Sequence, residues 1–199
     1  MILFLASGNS HKMREISEIF RSIGLFCDLQ SPITMKLNIS EPEENGLTFE
    51  DNALIKAEYY HRITNLPCIA DDSGLEIDFL DGAPGINSAR FSGLHGDDAA
   101  NRRKVLTLLS DVPDVKRSAR FRAVICLKTT ESQLFFEGKC EGKIAKEEMG
   151  EAGFGYDPIF IPDSFNISFA EMSPAQKNML SHRGNAVRKL AEHLKSICP

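Results

Sequence analysis

Nothing in these 199 residues marks a membrane protein, because no stretch approaches the roughly 18 consecutive apolar residues of a transmembrane helix. The leading apolar run, Ile2 to Ala6, is far shorter than a signal-peptide core and lacks a basic leader, so the chain is expected in the cytoplasm. Paired cysteine motifs are missing as well. The five cysteines (Cys27, Cys68, Cys126, Cys140 and Cys198) are odd in number and form no C-x-x-C pair, which argues against a disulfide framework and a structural zinc site. Buried, reduced thiols are the expectation. A basic excess is also lacking: the net charge of −5 disfavours nucleic acid as a partner, whose binding requires many phosphates to be neutralised. Neither a P-loop nor a G-x-G-x-x-G dinucleotide fingerprint occurs, and there is no repeat or low-complexity tract.

What is present is the composition of an ordinary globular chain, 42% hydrophobic and 26% charged, long enough for a real core. Residues 1–199 are read as a single domain pinched into two lobes around a central cleft. Residues 2–6 predict a buried strand, and Met13, Ile16, Ile19, Phe20 and Ile23 then follow helical spacing. Alternation of Ile33, Met35, Leu37 and Ile39 predicts a half-buried strand. Thr48 predicts an N-cap, with Asp51 completing an acidic capping box, for a helix to about His61 whose positions 52, 56 and 60 share a face. "PCIADDSGL" predicts a short strand ending in two aspartates and a turn, and "GAPGIN" a loop.

Further on, a helix is expected from Asp97 to about Leu109, with Ala100, Val105, Leu108 and Leu109 inward. Ala119, Phe121, Ala123, Ile125 and Leu127 alternate as a strand, with one or two partner strands in "QLFFEGKCEGKIA". Ser173, Pro174 and Gln176 open a last helix, which Gly184 is expected to bend before Val187, Leu190, Leu194 and Ile197 complete its stripe. The sum is a mixed α/β fold with a bent central sheet flanked by helices.

Chemistry concentrates at a few places. A strand feeding a helix through "SGNSHK" presents backbone N–H groups and the positive end of a helix dipole, a favourable anion site, with Ser7, Asn9 and Lys12 as side-chain support. The bland alternative is a capped helix with a solvated lysine. Asp71 and Asp72, as neighbours on a strand, face opposite ways and predict different jobs: one to hold a metal and polarise water, the other to orient it or a lysine. Glu41, Glu43 and Glu44 supply oxygens suited to Mg²⁺, though such a loop is most often a solvated surface. Asn52 and Lys56 face one way; "GFGYDPIF" makes an aromatic-walled loop suited to a planar ring; "SHRG" offers donors for carbonyl oxygens. Together these describe a nucleoside triphosphate.

The ordered set "SGNSHK", "EENGLTFEDNALIKA", "ADDSGLEID", "GAPGINSARF", "GFGYDPIF" and "FAEMSPAQKNMLSHRG" resembles the inosine triphosphate pyrophosphatase family, also called dITP/XTP pyrophosphatases, over nearly the whole chain. That resemblance implies a two-lobed mixed sheet, a homodimer, and Mg²⁺-dependent hydrolysis of ITP, dITP and XTP to the monophosphate and pyrophosphate. It implies that Ser7, Gly8, Asn9, Ser10, His11 and Lys12 hold the triphosphate with Lys56, and that Ser73 contacts substrate. By the same resemblance Asp72 is proton acceptor and Mg²⁺ ligand and Glu43 a second ligand, while Phe154, Gly155, Tyr156, Asp157, Lys177, His182 and Arg183 form the base pocket. Where family members often carry an aromatic, this chain has Asn87. Two rivals stand beside this reading: a pyrophosphatase acting on pyrimidine or modified nucleotides, and a nucleotide sensor without catalysis.

Overall fold

In the computed structural model, which describes residues 1–197, the opening strand, turn and helix form as expected: β1 spans Ile2–Leu5 and α1 spans Ser10–Ser22. β1 lies parallel to β2 (Asp28–Gln30) and to β3 (Cys68–Ile77), with Leu5 opposite Ile69. The pairing ends just beyond this register, where Ala6 N–H donates to Ile69 O, two residues before Asp71. Parallel pairing therefore delivers the corner between β1 and α1 to the aspartates, as parallel strands deliver ligand sites at their carboxyl ends.

The remaining strands are β4 (Ser118–Lys128), β5 (Gln133–Ile144) and β6 (Phe160–Pro162), in the sheet order β2-β1-β3-β4-β5-β6. β5 and β6 pair antiparallel, so the sheet is mixed, as the sequence predicts. The helices are α2 (Phe49–Thr64), α3 (Asp98–Leu108), α4 (Pro174–Leu180) and α5 (His182–Ile197).

Contacts divide the chain into two compact units. The first holds residues 1–72, 123–138 and the segment from Arg183 onward. Its core sets Leu3, Leu5 and Ile69 of the sheet against Ile16, Ile19 and Phe20 of α1 and Val187, Leu190 and Leu194 of α5. The second holds residues 73–122 and 139–182, with Leu75, Ile77, Val105, Phe121, Phe160 and Phe169 at its centre. Each fully buried Leu, Ile or Phe contributes about 1.5–3 kcal/mol, enough to hold the polar site residues described below.

α2 starts where predicted. Thr48 Oγ1 accepts the Asp51 N–H and Asp51 returns a bond to the Thr48 N–H, and Asn52, Lys56 and Tyr60 are all buried on one face. α2 runs past His61 to Thr64 and stops at Asn65, whose φ is 56°. α3 has Asp97 as N-cap, and Val105 and Leu109 are buried as expected, but Leu108 points outward, 46% exposed.

Four expectations need correction. Residues 33–39 form no strand: a turn follows Pro32, closed by Met35 N–H to Ser31 O and by Ser31 and Thr34 side chains bonding neighbouring backbone, with Lys36 at φ 50°. Local side-chain bonding thus outcompetes an apolar alternation, and Ile33 and Met35 remain exposed. Ser73-Gly74 is not a turn, because β3 continues through it to bury Leu75 and Ile77. The last helix breaks at Ser181, with φ −65° and ψ 153°, rather than bending at Gly184. Ile197 is 56% exposed, so the stripe of the last helix is buried only as far as Leu194. Among the cysteines, Cys68, Cys126 and Cys140 are buried thiols and Cys27 is half-buried; Cys198 lies outside the described residues.

Candidate active site

The first unit builds an anion corner and a charged cluster around Asp71 and Asp72. Asn9 caps α1, its Oδ1 accepting the N–H groups of His11 and Lys12 at 2.9 and 3.2 Å, while its own N–H bonds Ser7 Oγ. Gly8 N–H donates to Glu41 Oε1 at 3.3 Å, so a carboxylate oxygen already sits against this corner. Ser10 opens α1, and from its first turn the Lys12 ammonium reaches Asp71, 2.5 Å from Oδ2 and 3.2 Å from the main-chain oxygen.

Asp71 is fully buried. Its Oδ2 also accepts from Nη2 of Arg183 at 3.2 Å, and Nη1 of Arg183 lies 2.5 Å from Glu15 Oε2. Burial by itself would raise the Asp71 pKa, but the charges of Arg183 and Lys12 outweigh it and hold the carboxyl far below its ordinary range. A group so depressed contributes stability that is present above its unfolded pKa near 4 and is lost as the pH falls below it. The Asp71→Asn variant is therefore expected to be about 3–5 kcal/mol less stable at pH 7, with the gap shrinking at pH 3. Denaturant unfolding at the two pH values checks this; a constant gap would contradict it.

Asp72 has other partners, as opposite faces of a strand require. Its Oδ1 accepts from Lys56 Nζ at 2.8 Å and its Oδ2 from Asn52 Nδ2 at 3.5 Å; Lys56 also pairs with Glu44 at 3.1 Å. Burial raises the Asp72 pKa, helped by Glu44 and opposed by Lys56 and Lys12. Lys56 would lose affinity for its proton through burial, but Asp72 and Glu44 reverse this and raise it. Lys12 pairs with Asp71 and Lys56 with its neighbour Asp72, so the corner and both aspartates meet in one cluster. Asn52 ties the acidic loop down as well, its Oδ1 accepting the Gly46 N–H at 2.9 Å.

Glu44 Oε2 and Asp72 Oδ1 share the Lys56 ammonium, which lies 3.1 and 2.8 Å from them. Lys56 is thus the cation between these two carboxylates, and their oxygens are also of the hard kind that Mg²⁺ takes. Among the described residues no group of three or more His, Cys, Asp or Glu is placed to hold a metal ion. Glu44 is the loop acid that meets Lys56, whereas Glu43 is exposed. Ser73 follows in β3, half-buried.

The second unit carries the aromatic loop. Asp157 is buried and its Oδ2 accepts both the Phe154 N–H at 2.9 Å and Lys177 Nζ at 2.7 Å. Lys177 Nζ lies 4.7 Å from the centre of the Phe154 ring, and the His182 ring stacks on Phe121 at 4.6 Å. Tyr156 donates its hydroxyl to Ser88 O. α3 grips the same loop: Asp98 Oδ2 accepts the Gly155 N–H at 2.7 Å, and Arg102 donates to Gly155 O while pairing with Glu148. Asn87 lies in the short 3-10 helix Gly85–Arg90, where its Oδ1 accepts from Arg90 Nε.

Gly153 has φ +79°, and a Cβ there would run into Oδ2 of Asp157. Gly153→Ala is expected to cost about 2 kcal/mol or more through strain and overpacking, visible as a lowered Tm. An unchanged Tm would show that the loop is not fixed by this contact.

Sequence reasoning misses Glu15, Asp98 and Arg102. Glu15 leaves one signal, a charge three positions after Lys12 on the otherwise apolar face of α1. Asp98 and Arg102 leave none, since exposed-looking charges on a helix are ordinary.

Comparison with known proteins then places the chain. The model of the Ham1 family matches residues 3–193. A "dITP/XTP pyrophosphatase" of Vibrio cholerae is 46% identical over 191 residues, 94% of each chain, and one from Thioalkalivibrio sulfidiphilus is 47% identical over 98% of each. Among solved structures, a HAM1 protein from Coxiella burnetii superposes with a TM-score of 0.88 at 41% identity, covering 98% of this chain and 99% of its own. The Staphylococcus aureus Ham1 protein gives 0.86 at 36% identity, covering 99% and 100%.

Proposed function

The chain belongs to the Ham1 family, and from that premise we propose that it hydrolyses non-canonical purine nucleoside triphosphates (ITP, dITP and XTP) to the monophosphate and pyrophosphate, clearing deaminated purines from the nucleotide pool. The observation that carries this reading is the cluster in the first unit: Lys12 on Asp71, and Lys56 on both Asp72 and Glu44. Cations for a polyphosphate, a base for water and hard oxygens for a metal occur there together.

In the proposed reaction Ser7, Gly8, Asn9, Ser10, His11 and Lys12 receive the triphosphate, and Lys12 and Lys56 neutralise the departing pyrophosphate. Asp72 orients a water towards the α-phosphorus and takes its proton. When bound, Mg²⁺ supplies charge neutralisation and Lewis-acid polarisation of the phosphate oxygens, and Glu44 and Asp72 are the residues proposed to hold it. Positioning and electrostatics carry most of such a reaction.

For the base, Phe154 offers a ring face, and Lys177 and His182 offer donors to a 6-keto oxygen where adenine would present an amino group, whereas Arg183, buried and held by Asp71 and Glu15, leaves the base pocket expected for it. The buried Asp157 holds Lys177 and the Phe154 backbone in one geometry. By its resemblance we also propose a cytoplasmic homodimer; no described helix is long and apolar enough to cross a membrane.

The test is pyrophosphate release from ITP, dITP, XTP, dGTP, dATP, dUTP and dTTP with and without Mg²⁺. Release from the first three in Mg²⁺ alone supports the reading. Preference for dUTP or dTTP, or tight binding without release, replaces it with one of the rivals.

A further inference from the structure

Lys12, Glu15, Asp71 and Arg183 form a buried chain of alternating charge within the first unit: Lys12 to Asp71, Asp71 to Arg183, Arg183 to Glu15. The four formal charges sum to zero, which is how such a chain tolerates burial. We propose that Asp71 is a positioning residue for the reaction: it fixes the Lys12 ammonium where a polyphosphate arrives, and Arg183, anchored by Glu15, fixes Asp71. This rests on the proposed role of Lys12 in holding the triphosphate.

A lysine is a flexible stem with three equivalent donors and no preferred direction of its own. Here two acceptors of a single residue, Oδ2 and the main-chain oxygen of Asp71, take two of those donors. The third is thereby given a direction, and the ammonium is the chain's most exposed cation, with 17% of its side chain accessible against 2% for Arg183. Asp71 can do this only while ionised and unable to rotate. The Arg183 guanidinium meets both needs, and Glu15 supplies the negative charge that keeps Arg183 from drawing Asp71 away from Lys12. Asp72 begins the opposite face of β3 at the very next residue, so strand geometry sets the interval between the carboxylates that hold Lys12 and Lys56.

A double-mutant cycle on the full chain reads this. Pyrophosphate binding by calorimetry and ITP kinetics are measured for wild type, Lys12→Met, Asp71→Asn and the double variant. Asp71→Asn should weaken pyrophosphate binding about tenfold and raise KM for ITP, whereas a variant that merely lost folded protein would lower kcat with KM unchanged. The double variant should bind no worse than Lys12→Met within about twofold, because Asp71 acts through Lys12. Additive losses, or wild-type affinity in Asp71→Asn, overturn the proposal. Should Asp71→Asn fail to fold, Glu15→Gln takes its place, with a loss of about threefold that again vanishes in the Lys12→Met background. Wild-type chain that binds pyrophosphate but leaves ITP intact would sink the catalytic reading while the binding cycle still decides the positioning claim. Wild-type chain that binds no pyrophosphate overturns both.

Discussion

Asp72→Asn should lower kcat for ITP by about 10²- to 10⁴-fold while leaving KM within about threefold of wild type. The substitution keeps the shape of the side chain and an oxygen able to accept from Lys56 Nζ, now 2.8 Å from Oδ1, so the cationic wall stays in place. What it removes is the lone pair that takes a proton from water. The pH profile carries the same information. Asp72 works deprotonated, so wild-type kcat should fall on the acid side as its carboxylate takes up a proton. The variant's residual rate should lack that fall. Near-normal turnover, or a KM that rises in step with the loss of kcat, would remove Asp72 from the chemistry.

Lys177→Met should reduce kcat/KM for ITP by about 10²-fold or more and leave the slow reaction with ATP nearly unchanged, so that discrimination between the two falls. A complication comes with the design of the loop. Lys177 neutralises Asp157, and both side chains are nearly buried, 7% and 4% exposed, so the single variant strands a buried carboxylate and is expected to lose about 3–5 kcal/mol of stability. Pairing it with Asp157→Asn removes that charge and keeps an oxygen that can accept the Phe154 N–H. Restored stability with discrimination still lost would assign base reading to Lys177; discrimination restored with stability would assign it a structural role only.

The elements most legible in the sequence were those whose local chemistry and tertiary role agree. Thr48 and Asp51 cap α2, and Ala119, Phe121, Ala123, Ile125 and Leu127 of β4 share a buried face, the opposite face being half-buried at Arg120 and Arg122 and buried at Val124 and Cys126. Where local and tertiary signals part, reading by pattern fails. Ile33, Met35 and Leu37 alternate, yet Pro32, Ser31 and Thr34 impose a turn first. Ser73-Gly74 has turn chemistry, yet Leu75 and Ile77 draw β3 onward into the second core. The aspartates, both lysines and the aromatic loop stand out by type and spacing. Glu15 does not, because apolar periodicity has no place for a buried charge. Nor could spacing choose Glu44 over Glu43, since that depends on how Asn52 and Lys56 fix the path of the loop.

The most direct test is the identity of the products when the wild-type chain turns over ITP in Mg²⁺. The account predicts IMP and pyrophosphate in equal amounts, with water oxygen on the monophosphate and ATP hardly consumed. IDP with orthophosphate, or equal turnover of ATP, would contradict it.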